Sequence, residues 1–293
     1  RQALAPELMR RTNKIIRSEV LRLDDDHKIY WMDNPIAYIS RGKNYLNPKL
    51  ELLVDEAIDL ESKEKLKINL EKKLYKLISS ELSDLINLSK TKFKNNYSRA
   101  LCYQLFENNG IIKRNTVHQM IKNISKEDRL NLRKIGVKIG RYHIFLPKML
   151  KPSAVELRVK LWKLYFHEDK KYIIPKSGLN FLKNETKKNN KFLLICGFEN
   201  FDKFYVRVDI LERFFLKIIE NTKDKSFKIN SDMINLIGCS KENFFKLLEL
   251  MEYKSKNKKE EFFIYKPKLI KNKKVEKTSK NNPFEKLSEL RFR

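Results

Sequence analysis

Glycine is scarce in this sequence, with 7 in 293 residues, and the scarcity excludes whole classes of chemistry. A phosphate-cradling nucleotide loop needs an early glycine to shape its turn and a Gly-Lys-Ser/Thr ending. The single Gly-Lys pair, Gly42-Lys43, is followed by Asn44 and has no such glycine before it. Leu52-Leu53-Val54-Asp55-Glu56-Ala57 imitates the apolar strand and acidic pair that hold magnesium in ATPase sites. Half a site cannot bind nucleotide, so Asp55 and Glu56 are read as structural. No Gly-x-Ser-x-Gly elbow occurs either, and no acid/base pair stands out among the carboxylates, so hydrolase chemistry has no motif behind it.

Cysteine is scarcer still: Cys102, Cys196 and Cys239 lie far apart among apolar neighbours. That excludes a disulfide framework and reads as buried thiols in a reducing compartment, for which a cytoplasmic setting is expected. His27, His118, His143 and His167 form no i, i+4 pair and meet no cysteine at ligand spacing, which argues against zinc. No run of eighteen apolar residues exists, so neither a transmembrane helix nor a membrane partner is expected.

Positive charge is what the chain has in excess. A formal balance of +27 and a pI near 9.8 favour a phosphate backbone as partner. The excess is mostly lysine, and Lys, Asn and Ile together dominate, as they do in any protein from an AT-rich genome. Charge therefore supports nucleic-acid binding without deciding it.

Periodicity divides the chain into four parts. Residues 1–61 read as a helix over 2–23, ended by Asp24, Asp25 and Asp26, followed by a hairpin of 28–31 and 36–39 through Asp33-Asn34-Pro35 and a third strand over 49–54. Residues 62–171 read as a helical domain: one long amphipathic helix over 62–88, helices over 99–108 and 115–124, and one capped by Ser125 and closed at Gly136. A β-excursion at 137–145 and a helix from Pro152 to Phe166 complete it. Residues 172–190 mix Pro, Gly, Asn and Lys and mark the boundary of a third unit, 172–265. There, strands over 192–198 and 204–206, a helix over 209–220, and a strand–helix–helix–strand series over 227–265 permit a winged-helix-like module. Residues 266–293 are a basic tail, expected to be disordered over 266–280, with a short docking helix over 283–290. The fold class expected is α+β and mainly helical.

The candidate binding residues cluster at the β-excursion. Arg141, Lys148 and Lys151 are placed to take phosphates, and Tyr142 and Phe145 to stack on bases. Lys256 and Lys258 of the wing-like link add charge. The plain alternatives are that the two rings are core residues and the lysines a solvated face.

Ile135-Gly136-Val137-Lys138-Ile139-Gly140-Arg141-Tyr142-His143-Ile144-Phe145-Leu146-Pro147, continuing through Met149-Leu150-Lys151-Pro152 to Leu161-Trp162, resembles the C-terminal region of alphaproteobacterial Suv-three-like (MgpS-type) superfamily 2 helicases. Val206 to Arg213, Leu236 to Ser240 and Asn282 to Leu287 extend the resemblance over most of the chain. The resemblance implies a pair of RecA-like domains upstream of Arg1, carrying ATP and Mg, with this chain as a piece cut from the whole helicase. It assigns no catalytic residue here. The expectation is a non-catalytic accessory region without a cofactor of its own, packing on that core and contacting nucleic acid, RNA before DNA. The alternatives are a standalone RNA-binding or ribosome-associated protein without a motor, and a partner-docking scaffold.

Overall fold

The computed structural model describes residues 5–18, 21–53, 58–166, 172–183, 190–202, 204–255 and 262–266. They form an α+β fold, mainly helical, in which four small antiparallel sheets are set among the helices. Asp55, Glu56, Lys256, Lys258 and the tail segments 267–280 and 283–290 lie outside the described residues.

The first sheet is a meander of β1 (Arg22–Leu23), β2 (Lys28–Trp31), β3 (Asn34–Ser40) and β4 (Lys49–Leu52). Its turn uses Met32 at φ 52° and Asp33, so Asn34 and Pro35 sit inside β3 and not in the loop where the sequence placed them. Helix α1 (Ala5–Arg17) stops short of Leu23 because Arg22 and Leu23 pair with Tyr30 and Ile29. The Lys73 ammonium takes the carbonyls of Ile15, Ile16 and Ser18, placing a cation at the negative end of α1.

The long helix expected over 62–88 is two helices, α2 (Leu60–Glu81) and α3 (Ser83–Lys90), parted at Leu82 with φ −112° and ψ 28°. Serine chemistry accounts for the break: the Ser79 and Ser80 hydroxyls donate back to the carbonyls of Lys76 and Leu77, a competition that bends helices. Leu66, Leu70, Leu74 and Ile78 of α2 face the main core at helical spacing. Next come α4 (Asn96–Glu107), β5 (Ile111–Lys113), a 3₁₀ turn (Arg114–Val117), α5 (His118–Lys122) and α6 (Lys126–Lys134). Ser125 caps α6 through the amide of Asp128, and Gly136 adopts φ 91° beyond its end, both as expected. The central strand β7 (His143–Phe145) has β5 on one side and β6 (Lys138–Ile139) on the other.

Helix α7 (Pro152–Phe166) starts at its expected proline. It is followed by β8 (Phe181–Lys183), α8 (Asn190–Ile195), β9 (Phe198–Phe201) and β10 (Phe204–Arg207). The apolar run 192–198, expected as one strand, is helical to Ile195, turns at Gly197 (φ 92°) and only then extends. A short run buried on every side has no period with which to tell the two states apart. Val155, Val159 and Trp162 of α7 share a hydrophobic cluster with Phe192, Leu193, Phe198 and Tyr205, so packing is continuous across residue 172. Arg158 of α7 is wholly buried and donates to the carbonyls of Asn109, Met149 and Ile195, which ties α7 to α4 and α8.

A separate core begins at α9 (Val208–Glu220). It is closed by β11 (Thr222–Lys223), β12 (Ser226–Lys228), α10 (Ser231–Ile237), α11 (Lys241–Leu250), β13 (Tyr253–Ser255) and β14 (Phe262–Tyr265). Helix, strand, helix, helix and a strand pair follow in the order of a winged helix, as the sequence allowed. Gly238 at φ 78° ends α10, and Ser240 caps α11. Phe214, Met233, Phe244 and Leu247 are fully buried between the three helices.

Candidate nucleic-acid interface

The site is built around the turn joining β6 to β7. Gly140 donates its amide to the carbonyl of His143, and the next three amides converge on one carboxylate. Those of Arg141, Tyr142 and His143 reach the buried Glu212 of α9 at 2.6, 2.8 and 2.9 Å. Glycine is required at the start of this turn, since a Cβ on Gly140 would lie 2.3 Å from the Glu212 carboxyl carbon. The winged-helix unit is thereby fastened to the β5-β7-β6 sheet through main-chain groups that any substitution of Arg141 or Tyr142 other than proline retains.

A second carboxylate is satisfied beside the first. Strand β7 places His143 Nε2 2.7 Å from Glu199 Oε2 of β9. Lys113, opposite His143 across the sheet, puts its ammonium 2.5 Å from Glu199 Oε1. Burial works to raise the Glu199 pKa, but the hydrogen bonds from His143 and Lys113 outweigh it and hold the carboxyl below its ordinary range.

Arg114 is fixed by the same turn: its amide donates to the Tyr142 carbonyl and its guanidinium to that of Gly140, 2.6 Å away. The exposed Arg141 side chain lies over the Phe215 ring, 5.6 Å from its centre. Neither arginine forms an ion pair with a carboxylate among the described residues.

Over this framework opens a cleft of about 420 Å³. Lys113, Arg114, Arg141 and the His118 imidazole line it, together with the rings of Tyr142, Phe201 and Tyr265. It runs into a second cleft, about 390 Å³, through the shared residues Arg141, Tyr142, Phe201 and Tyr265. Lys113 is paired with Glu199, but Arg114 and Arg141, beside the exposed Tyr265 ring and the half-buried Tyr142 and Phe201, can take phosphates and stack bases without reading sequence. A larger cleft of about 550 Å³ lies between α7 and residues 172–179; Lys160 there is paired with Glu156 and Asp25 and Arg207 with Asp209, while Lys163, over the Tyr172 ring, and Lys176 also line it.

The segment that supplies most of the first cleft is basic. Residues 111–151 hold eleven Lys and Arg against two Asp and Glu. The winged-helix span 208–266 holds twelve against ten and is nearly neutral. On α11, Lys241 and Lys246 are balanced by Glu242 and Glu249.

Of the residues singled out from sequence, Arg141 and Tyr142 line the cleft. Phe145 does not: it is 0% exposed, packed with Ile111 and Val208, and has no face to offer a base. Lys148 is turned away to pair with Asp84 at 2.9 Å, and the exposed Lys151 precedes α7, so neither lines either cleft. Lys113, Arg114, His118, Phe201, Phe215 and Tyr265 were not anticipated. Only the adjacent Lys113-Arg114 pair carried a local signal, because the rings arrive from β9, α9 and β14, far along the chain.

Among the described residues no helix is long and apolar enough to cross a membrane. No family model, no curated protein and no solved structure matches the chain, so the functional reading rests on this geometry.

Proposed function

We propose that the chain is a nucleic-acid-binding accessory module of an ATP-dependent helicase, holding a single strand, RNA before DNA, in the cleft beside the Gly140–His143 turn. ATP and Mg belong to the RecA-like core on which the module would pack, and this chain contributes no catalytic group. One observation carries the reading: Arg114 and Arg141, without a carboxylate partner among the described residues, line one cleft with Tyr142, Phe201 and Tyr265. Phosphate contacts supply affinity that weakens with salt, and ring stacking makes it tolerant of sequence. The neutral face of α11 argues against duplex reading by the winged-helix unit.

The test is a fluorescence-anisotropy titration of a labelled single-stranded 12-mer RNA at several salt concentrations. Two to three phosphate contacts give a log–log salt slope of about −2. The double variant R114E/R141E is expected to bind at least about tenfold more weakly with a shallower slope. Affinity indifferent to salt, or unchanged in that variant, rejects the reading.

A further inference from the structure

The second cleft differs in chemistry from the first. Its walls are apolar, formed by Ile218, Ile219, Leu250 and Met251 around the Phe215 ring. Two of these are large side chains left open to solvent, Ile219 at 53% and Leu250 at 42% exposure. Its polar groups are few: the hydroxyls of Tyr142 and Tyr253 lie 3.3 Å apart in its wall, and Thr222, Lys225 and Glu252 line it beside Arg141. One O–H of the pair donates to the other oxygen, which leaves one O–H to donate and oxygen lone pairs to accept. The volume, about 390 Å³, falls within the roughly 300–1,000 Å³ of sites that enclose one small ligand. Arg141, over Phe215, stands where the two clefts meet.

We infer that this apolar cleft receives one unpaired base of the strand whose phosphates lie in the cationic cleft, an inference that rests on the function proposed above. A flat ring fits between Phe215 and the aliphatic walls, its polar edge toward the two tyrosine hydroxyls. The charge at the mouth selects the occupant: an apolar peptide side chain gains nothing from Arg141, whereas a base arrives attached to a phosphate. The inference narrows the substrate to strands with unpaired bases, since a base held in a duplex cannot turn in.

The experiment compares two labelled 12-mers on the full 293-residue chain, one RNA and one an abasic sugar-phosphate of equal length. Wild type is expected to bind RNA at least about fivefold more tightly than the abasic chain. Filling the cleft from its exposed rim with Ile219→Trp or, separately, Leu250→Trp should erase most of that preference. Affinity for the abasic chain should stay unchanged, which also reports that the variant is folded. If both rim variants keep the wild-type preference while R114E/R141E still loses affinity, the base pocket is wrong and the cationic cleft stands. If wild type binds neither oligomer, both readings fall together.

Discussion

Arg158 shows how much structure one residue can hold. Its guanidinium is wholly enclosed, and its partners are three main-chain carbonyls from three parts of the chain. Burial lowers its pKa to about 10, so the charge persists at neutral pH. Arg158→Met leaves those carbonyls without a donor and is expected to destabilise the fold by at least about 3 kcal/mol in urea unfolding. Arg158→Lys should recover only part of the loss, because one ammonium lacks the planar fork that spans the three acceptors. Glu199 makes a pH-dependent contribution whose sign follows from its lowered pKa. The contribution is whole above the ordinary value of 4.5 and disappears as pH falls through the lower folded value. The stability gap between wild type and Glu199→Gln should therefore be constant near neutrality and shrink on acidification below about pH 4.5. A gap that grows in acid would contradict the assignment.

At the scale of elements, the joint between the β6–β7 turn and α9 sets the geometry of both clefts. Three amides share Glu212, so Glu212→Ala leaves three buried donors without a partner and is expected to cost at least about 2 kcal/mol. Glu212→Gln keeps one acceptor oxygen and should cost less. Gly140→Ala forces the carboxylate away, and hydrogen exchange at 141–143 should quicken in that variant while exchange in α2 does not. Elements with a clear period and a cap were legible from sequence: α6 between Ser125 and Gly136, α7 from Pro152, and the winged-helix order from α9 onward. Those that were not legible lacked a local signal. Periodicity alone does not show that Ser79 and Ser80 interrupt α2, that residues 192–195 are helical, or that Ile111–Lys113 is a strand before its partner β7 is known. The site follows the same division. Arg141 and Tyr142 stand in a recognisable turn, but Phe145, in the strand that follows it, points into the core, and alternation in a three-residue strand buried on both faces reveals nothing of that. Phe201 and Tyr265 join the cleft only through tertiary packing.

Across the whole molecule, the excess of positive charge is uneven. The winged-helix span is nearly neutral, whereas residues 111–151 carry eleven cations against two anions. Reversing charge in the two places should therefore have unequal effects. K241E/K246E, on α11, is expected to change RNA affinity by less than about twofold, whereas R114E/R141E weakens it by at least about tenfold. Equal losses would mean that the field of the molecule, and no particular cleft, attracts the nucleic acid. The central claim concerns place, and the most direct measurement of place is photocrosslinking of a 4-thiouridine-containing single-stranded RNA, followed by mapping of the modified peptides. Crosslinks should fall on the peptides that hold Tyr142, Phe201 and Tyr265. Crosslinks confined to peptides outside 111–145, 198–227 and 250–266 would contradict the account.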